Sequence, residues 1–338
     1  MRRLLLFVVL VTILLFLSYF SLNVGNFHIP PQNILAILLA KLMGNPLPEV
    51  GKYEDVILLS LRLPRIIMVI LVGASLGVSG AVSQGIFRNP LVSPFILGVS
   101  AGASFGAAIA IVYFAHISYS IDIMAAVGGF VAVAASFLIA RHPDGFIPRL
   151  SLILAGVIIS SFFTSLVGIL KYVADTETQL PAITFWMMGS FSSIDWNSLN
   201  PVIYIIPASL LLMIIFSWQL NVLSLGDREA SFLGMETEKW KAFFLLLVIV
   251  SVGAGVARCG VIGWVGLIIP HIARAIVGPN HIDTMPLSAF LGAFFLLIAD
   301  NVARAATSGE IPVGIITAII GAPFFIYFLK KRETLIWN

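Results

Sequence analysis

Charge is scarce in this sequence. Only 10% of its 338 residues are Asp, Glu, Lys or Arg, against roughly a quarter in soluble domains. The length alone suggests two soluble domains, at about 100–200 residues each. With 59% hydrophobic residues there are too few charges to cover two water-facing globules. Cysteine is nearly absent. The single Cys259 excludes a disulfide framework and a cysteine-based zinc site contained in one chain. The phosphate-cradling pattern G-x-x-x-x-G-K-[ST] does not occur. His28, His116, His142, His271 and His281 are scattered, with no H-E-x-x-H and no i, i+4 pair, so metal catalysis has no basis in this chain. Gly80-Ala81-Val82-Ser83 does not fit the G-x-S-x-G nucleophile elbow. No catalytic residue is assigned.

Long apolar runs dominate what is present. A bilayer core of about 30 Å needs about 20 apolar residues per helix, and charged residues cut the chain into segments of that size. The reading is an all-α polytopic membrane protein, one transmembrane domain over residues 1–338 with about ten spans. Arg2 and Arg3 precede an uncharged run, Leu4–Leu22, that is longer than a signal-peptide core and lacks a small-residue cleavage site. It is read as the first span. Ile66–Phe87, a segment from Pro94 to Tyr113, Ile123–Ala140, Leu150–Leu170 and Asn200–Leu220 follow. Ala242–Ala257, Cys259–Ala273, Thr284–Ala299 and Ile311–Leu329 complete the set. The eighth contains Gly260, Gly263, Gly266 and Pro270, which predicts a broken or re-entrant helix.

Net charge is only +3, and the basic residues fall at the ends of apolar runs, so they read as topology signals rather than a nucleic-acid footprint. Ten spans with both termini inside place twelve Lys and Arg on the inner side and seven outside. An odd number would put either Arg2-Arg3 or Lys330-Lys331-Arg332 on the wrong side. This leaves outer segments Asn23–Ser60 and Lys171–Asp195 and an inner segment Asn221–Lys241. Gly73 with Gly77, and Gly98, Gly102 and Gly106, recur at four-residue spacing, which lets helix backbones approach closely.

Charges inside the spans are few. Asp300 and Arg304 share a helix face at i, i+4 and read as an ion pair rather than a proton relay. A stand-alone ion-coupled secondary transporter is one alternative, but it needs functional intramembrane carboxylates. A membrane-embedded hydrolase using a serine or His271 is another, without a visible constellation. The inner segment reads as two short helices. Asp227 caps the first, Glu229 lies in its first turn and Gly234 follows it; Thr237 caps the second, running into Lys239 and Trp240. This predicts an ordered docking element.

Several ordered motifs carry a resemblance. They are Arg62-Leu63-Pro64-Arg65, the Gly-Ala-Ser-Leu-Gly-Val-Ser-Gly run at 73–80, Gln84-Gly85, Arg88-Asn89-Pro90-Leu91 and Leu97-Gly98-Val99-Ser100-Ala101-Gly102. Further on come Trp186-Met187-Met188-Gly189-Ser190, Leu225-Gly226, Leu233-Gly234, and Gly263-Trp264-Val265-Gly266 continuing through Pro270-His271-Ile272-Ala273-Arg274. Leu297-Ile298-Ala299-Asp300, Pro312-Val313-Gly314 and Gly321-Ala322-Pro323-Phe324-Phe325 close the series. From about residue 55 to 332 the chain resembles the FecCD family of ABC-importer permeases, which includes vitamin B12 and iron–siderophore permease subunits.

The resemblance implies a type II ABC importer permease fold, paired with a second copy of itself in the cell inner membrane. It implies two ATP-binding cassette subunits underneath and a periplasmic or extracellular substrate-binding protein above. ATP and Mg would be bound by the partner ATPase, leaving no cofactor in this chain, and no nucleic acid is expected. By the same resemblance Arg62, Arg65 and Arg304 are docking residues for the binding protein. Residues 222–240, with Asp227, Arg228, Glu229, Ser231 and Gly234, are the ATPase coupling helices. Asn89, Pro90 and Leu91 form an inner gate, whose other half lies near Arg149-Leu150-Ser151. Ser160, Ser161, Thr164, Ser165 and Thr317 line the pathway or bond to their own helix backbones. The implied cargo is a metal chelate such as an iron–siderophore, haem or cobalamin; molybdate or tungstate is the alternative.

Overall fold

The computed structural model describes residues 2–25, 27–46, 51, 53–142, 147–307 and 309–331. Lys52 and Arg332, both used in the charge count, lie outside the described residues.

Long uncharged runs without internal water partners close their backbone hydrogen bonds within helices, and the described chain is helical throughout its regular parts. Among the described residues six helices are long and apolar enough to cross a membrane, and ten helices occupy the positions of the ten expected spans. They are α1 (Arg2–Asn23), α4 (Leu63–Phe87), α5 (Val99–Tyr113), α6 (Ser120–Ala140), α7 (Arg149–Val173), α9 (Trp196–Ile215), α12 (Thr237–Cys259), α13 (Val265–Val277), α14 (His281–Ala306) and α15 (Val313–Lys331). Four shorter helices join them: α2 (Pro31–Met43), α8 (Gln179–Met188), α10 (Ser217–Leu225) and α11 (Asp227–Phe232). A single turn, α3 (Glu54–Val56), and a π-helical turn over Ile57–Arg62 run directly into α4.

Several boundaries differ from the charge-delimited segments. Helix α12 covers 23 residues because Lys239, Lys241 and Arg258 lie within it rather than beyond its ends. The sixth span bends at Phe216 and continues as α10. The eighth is only 13 residues long and starts at Val265. Ahead of it, residues 260–264 are irregular, with Gly260 at φ 69° and Trp264 at φ 71°. A side chain at Gly260 would come within 2.1 Å of the Trp186 carbonyl oxygen. Helices α2 and α8 lie in the two segments read only as outer loops. Pro31 opens α2 and Gly44, at φ 68°, closes it.

The α4 helix is the axis of the fold, buried along nearly all its length. Its small residues allow this. A Cβ on Gly73 would lie 2.4 Å from the Gly292 carbonyl, and one on Gly77 would lie 2.2 Å from that of Ser288. Helices α4 and α14 therefore meet backbone to backbone. Helices α5 and α6 meet in the same way through Gly102, Gly106 and Gly128. Around this centre, α6, α7 and α9 keep wide apolar faces exposed. Asp195 caps α9, its carboxylate accepting from the Ser198 amide at 2.8 Å and hydroxyl at 2.6 Å.

Candidate functional site

Three places concentrate polar groups in this apolar chain. One end of the bundle, where α1 finishes and α4 begins, holds Arg62, Arg65 and Arg304. All three are buried, at 6%, 8% and 4% exposure. Arg65 donates to Asp300 Oδ1 through Nη2 at 2.8 Å and to both Glu310 oxygens through Nη1 at 2.9 and 3.1 Å. Arg304 Nε lies 3.0 Å from Asp300 Oδ2, and its Nη1 donates to the Val24 carbonyl at 2.9 Å. Arg62 donates to the carbonyls of Leu22 and Phe27. Burying guanidinium groups is costly unless they are paired and hydrogen-bonded, and here Arg65 and Arg304 have carboxylate partners while Arg62 has two carbonyls. These bonds also pin the segment after α1. A cavity of about 280 Å³ opens beside them, lined by all three arginines with Glu310, Phe191 and Ser192. The three docking candidates are thus brought together, but they turn onto their own chain instead of standing out from the surface.

At the other end, α4 stops at Arg88, in the left-handed region at φ 49°. Asn89 Oδ1 accepts from the Leu91 amide at 2.9 Å, closing an Asx turn. Asn89 and Pro90 are half-buried and Leu91 is exposed. Behind them stands α13. His271 Nε2 is 2.8 Å from the Pro90 carbonyl oxygen. Gln84, fully buried, donates to the Leu267 carbonyl at 3.1 Å and accepts from Arg274. Sequence reasoning did not assign roles to Gln84 or Arg274. Their signal was present, as polar side chains within largely apolar helices.

The same end carries the predicted coupling segment, with two corrections. Asp227 is the first residue of α11, and no side chain caps that helix. Its carboxylate instead reaches Arg149 at 2.7 Å and Lys241 at 3.0 Å. Thr237 does not cap a second short helix, because it opens the long α12. The partner of α11 is α10, which precedes it across Gly226. That glycine sits at φ 138°, and a Cβ there would lie 2.0 Å from Glu229 Oε2. Gly234, at φ 78°, ends α11. Arg228, Glu229 and Ser231 are exposed, as is the tip formed by Phe232 and Leu233.

Along α7, Ser161, Thr164 and Ser165 are exposed on an open face, and Ser160 is half-buried beside Gly98. The Ser165 hydroxyl donates to the Ser161 carbonyl at 3.0 Å. Thr317 stands apart: it is fully buried and donates to the Gly314 carbonyl at 3.0 Å. Among the described residues no group of three or more His, Cys, Asp or Glu could hold a metal ion. The arrangement offers anchored helix ends and an uncharged open face, not a reacting group.

Comparison with known proteins gives a consistent picture. The sequence pattern of the FecCD transport family matches residues 13–331. The molybdate import system permease protein MolB of Haemophilus influenzae is 40% identical over 331 residues, covering 95% of each chain. The cobalamin import system permease protein BtuC of Halobacterium salinarum is 37% identical, over 90% of this chain and 80% of its own. Among solved structures, an inward-facing metal-chelate type ABC transporter superposes with a TM-score of 0.84. It is 38% identical and covers 95% of this chain and 97% of its own.

Proposed function

The chain belongs to the FecCD transport family, and from that membership we propose that it carries a metal chelate across the cell inner membrane as one of two identical permease subunits. Members of this family are multi-pass transport subunits of ABC importers and not enzymes; ATP is hydrolysed by a separate partner. In this reading both termini are cytoplasmic. The arginine end then faces outward to a substrate-binding protein, with Arg62, Arg65 and Arg304 around the cavity where it lands. The α10–α11 corner faces inward to the ATPase, which Arg228, Glu229, Ser231 and the Phe232–Leu233 tip contact. Asn89, Pro90 and Leu91 form the inner gate. The open α7 face, with Ser160, Ser161, Thr164 and Ser165, lines a pathway completed by the second copy, while Thr317 is buried and bonds within its own helix.

The observation that carries this reading is the uncharged hydroxyl face of α7, left open in a single chain. Such a face passes cargo without coordinating it, so selection falls to the binding protein. A second reading, molybdate or tungstate as cargo, is favoured by the 40% identity to a molybdate permease. The test is calorimetry on the binding protein encoded with this chain, titrated with ferric siderophores, haem, cobalamin, molybdate and tungstate. Uptake of the tight ligand is then measured in proteoliposomes containing the assembled complex. Tight binding and ATP-dependent uptake of a chelate supports the first reading. Binding of only an oxyanion replaces it with the second, and uptake without ATPase subunits overturns both.

A further inference from the structure

Three helices meet at one carboxylate, and Arg149 joins a fourth to them. Asp227, at the start of α11, places Oδ1 2.7 Å from Arg149 Nη2 and Oδ2 3.0 Å from Lys241 Nζ. Arg149 is the first residue of α7, and the same Nη2 also donates to the Leu223 carbonyl in the last turn of α10 at 3.3 Å. Lys241 lies near the start of α12 and bonds Glu238 at 2.8 Å. The Arg149, Asp227 and Lys241 side chains are 17%, 25% and 7% exposed, so salt and water screen these pairs much less than surface ones.

The position of the tie matters more than its strength. Helix α11 projects its Phe232–Leu233 tip away from the bundle, and α7 carries the open hydroxyl face. Both lie far apart in sequence, yet the Arg149–Asp227 pair joins their first residues directly. Apart from this pair, α11 packs mainly on α10 and α12, whereas α7 packs mainly on α5 and α6. We infer that Arg149 is a positioning residue that converts displacement of α11 into displacement of α7, through its ion pair with Asp227. Lys241 holds the second carboxylate oxygen, so the hinge stays fixed on α12 while α7 is pulled. This rests on the reading of α11 as the element that an ATPase moves.

The test uses the complete transporter, with its ATPase subunits, in lipid nanodiscs. Gly168 lies on the open α7 face, and an added Cβ there would meet no atom within 4 Å. A G168C reporter is therefore reactive, while the native Cys259 is buried. The reaction rate with a bulky maleimide is compared with and without MgATP and vanadate. The G168C parent is expected to change rate about fivefold or more on nucleotide trapping, the range of ordinary coupling between sites. R149M should abolish that change while ATP hydrolysis stays within about twofold, and R149K should restore it. An R149M protein that responds like the parent overturns the inference alone. So does R149K behaving as R149M, which would place the effect in guanidinium packing. Loss of hydrolysis in R149M also overturns it, because Arg149 would then be maintaining ATPase docking. A parent reporter blind to nucleotide overturns both this inference and the ATP-driven reading beneath it.

Discussion

Nε2 of His271 lies 2.8 Å from the carbonyl oxygen of Pro90. A carbonyl can only accept, so the imidazole proton resides on Nε2 and the histidine donates. This bond ties the turn after α4 to the middle of α13, two elements 181 residues apart in sequence. H271A removes the donor from a half-buried carbonyl partner, and the expected cost is about 0.5–1.5 kcal/mol of stability. Hydrogen exchange at the Asn89 and Leu91 amides should speed up together with a lower unfolding temperature. Unchanged exchange there would show that the turn holds itself.

Two glycines give a matched comparison. A Cβ on Gly80 would lie 1.9 Å from the Gly266 carbonyl oxygen, whereas one on Gly253 would meet nothing within 4 Å. G80A must push α4 from α13 and is expected to cost about 1–3 kcal/mol as overpacking. G253A should be neutral or stabilise by up to about 1 kcal/mol through helix propensity. Thermal unfolding of the two variants in one detergent checks the sign of each. Similar melting for both would contradict the backbone contact.

The Asp300 carboxylate is fully buried between Arg65 and Arg304, while the Glu310 side chain is 29% exposed. D300N leaves two buried guanidinium groups short of a counter-charge, and about 3–5 kcal/mol of destabilisation is expected. E310Q removes a partner that water can partly replace, so its cost should be about 1 kcal/mol or less. Denaturation of the purified variants decides the order. A larger loss for E310Q would reverse the assignment of which carboxylate holds the cluster.

Asp195 lies just ahead of α9, and its carboxylate accepts from the Ser198 hydroxyl and amide. These bonds favour the ionised form and lower its pKa, with the Ser198 hydroxyl the largest cause. A lowered folded pKa means the cap contributes stability above the ordinary carboxylate range of about 4 and loses it as pH falls through the folded value. D195A should cost about 0.5–2 kcal/mol at neutral pH, and its difference from the parent should shrink below about pH 4. Melting curves across that range test this. A constant difference down to pH 3 would assign the effect to something other than the charged cap.

Much of the architecture was legible in the sequence. A helix spanning an apolar slab needs a run of uncharged residues, and such runs can be read directly, so about ten spans emerged with their order. Small residues at four-residue spacing announced close packing, and Gly73 and Gly77 do press against α14. Boundaries were misread where charged residues belong to a helix. Lys241 reads as a loop residue until Asp227 and Glu238 are seen to neutralise it inside α12.

The sequence by itself determined that this chain lies in a membrane and is helical, because composition and the lengths of its apolar runs settle those matters locally. Tertiary structure alone decided where most of its charges go. Arg304 pairs with Asp300 as its i, i+4 spacing indicated. But Arg65, read only as a docking residue, shares that carboxylate and reaches Glu310, and Arg62 is buried against carbonyls from the end of α1 and the segment after it. Asp227 looked like a helix cap and is instead shared between α7 and α12. A charge pairs with whatever the fold brings within a few ångströms, and spacing along the chain reveals only the pairs made within one helix.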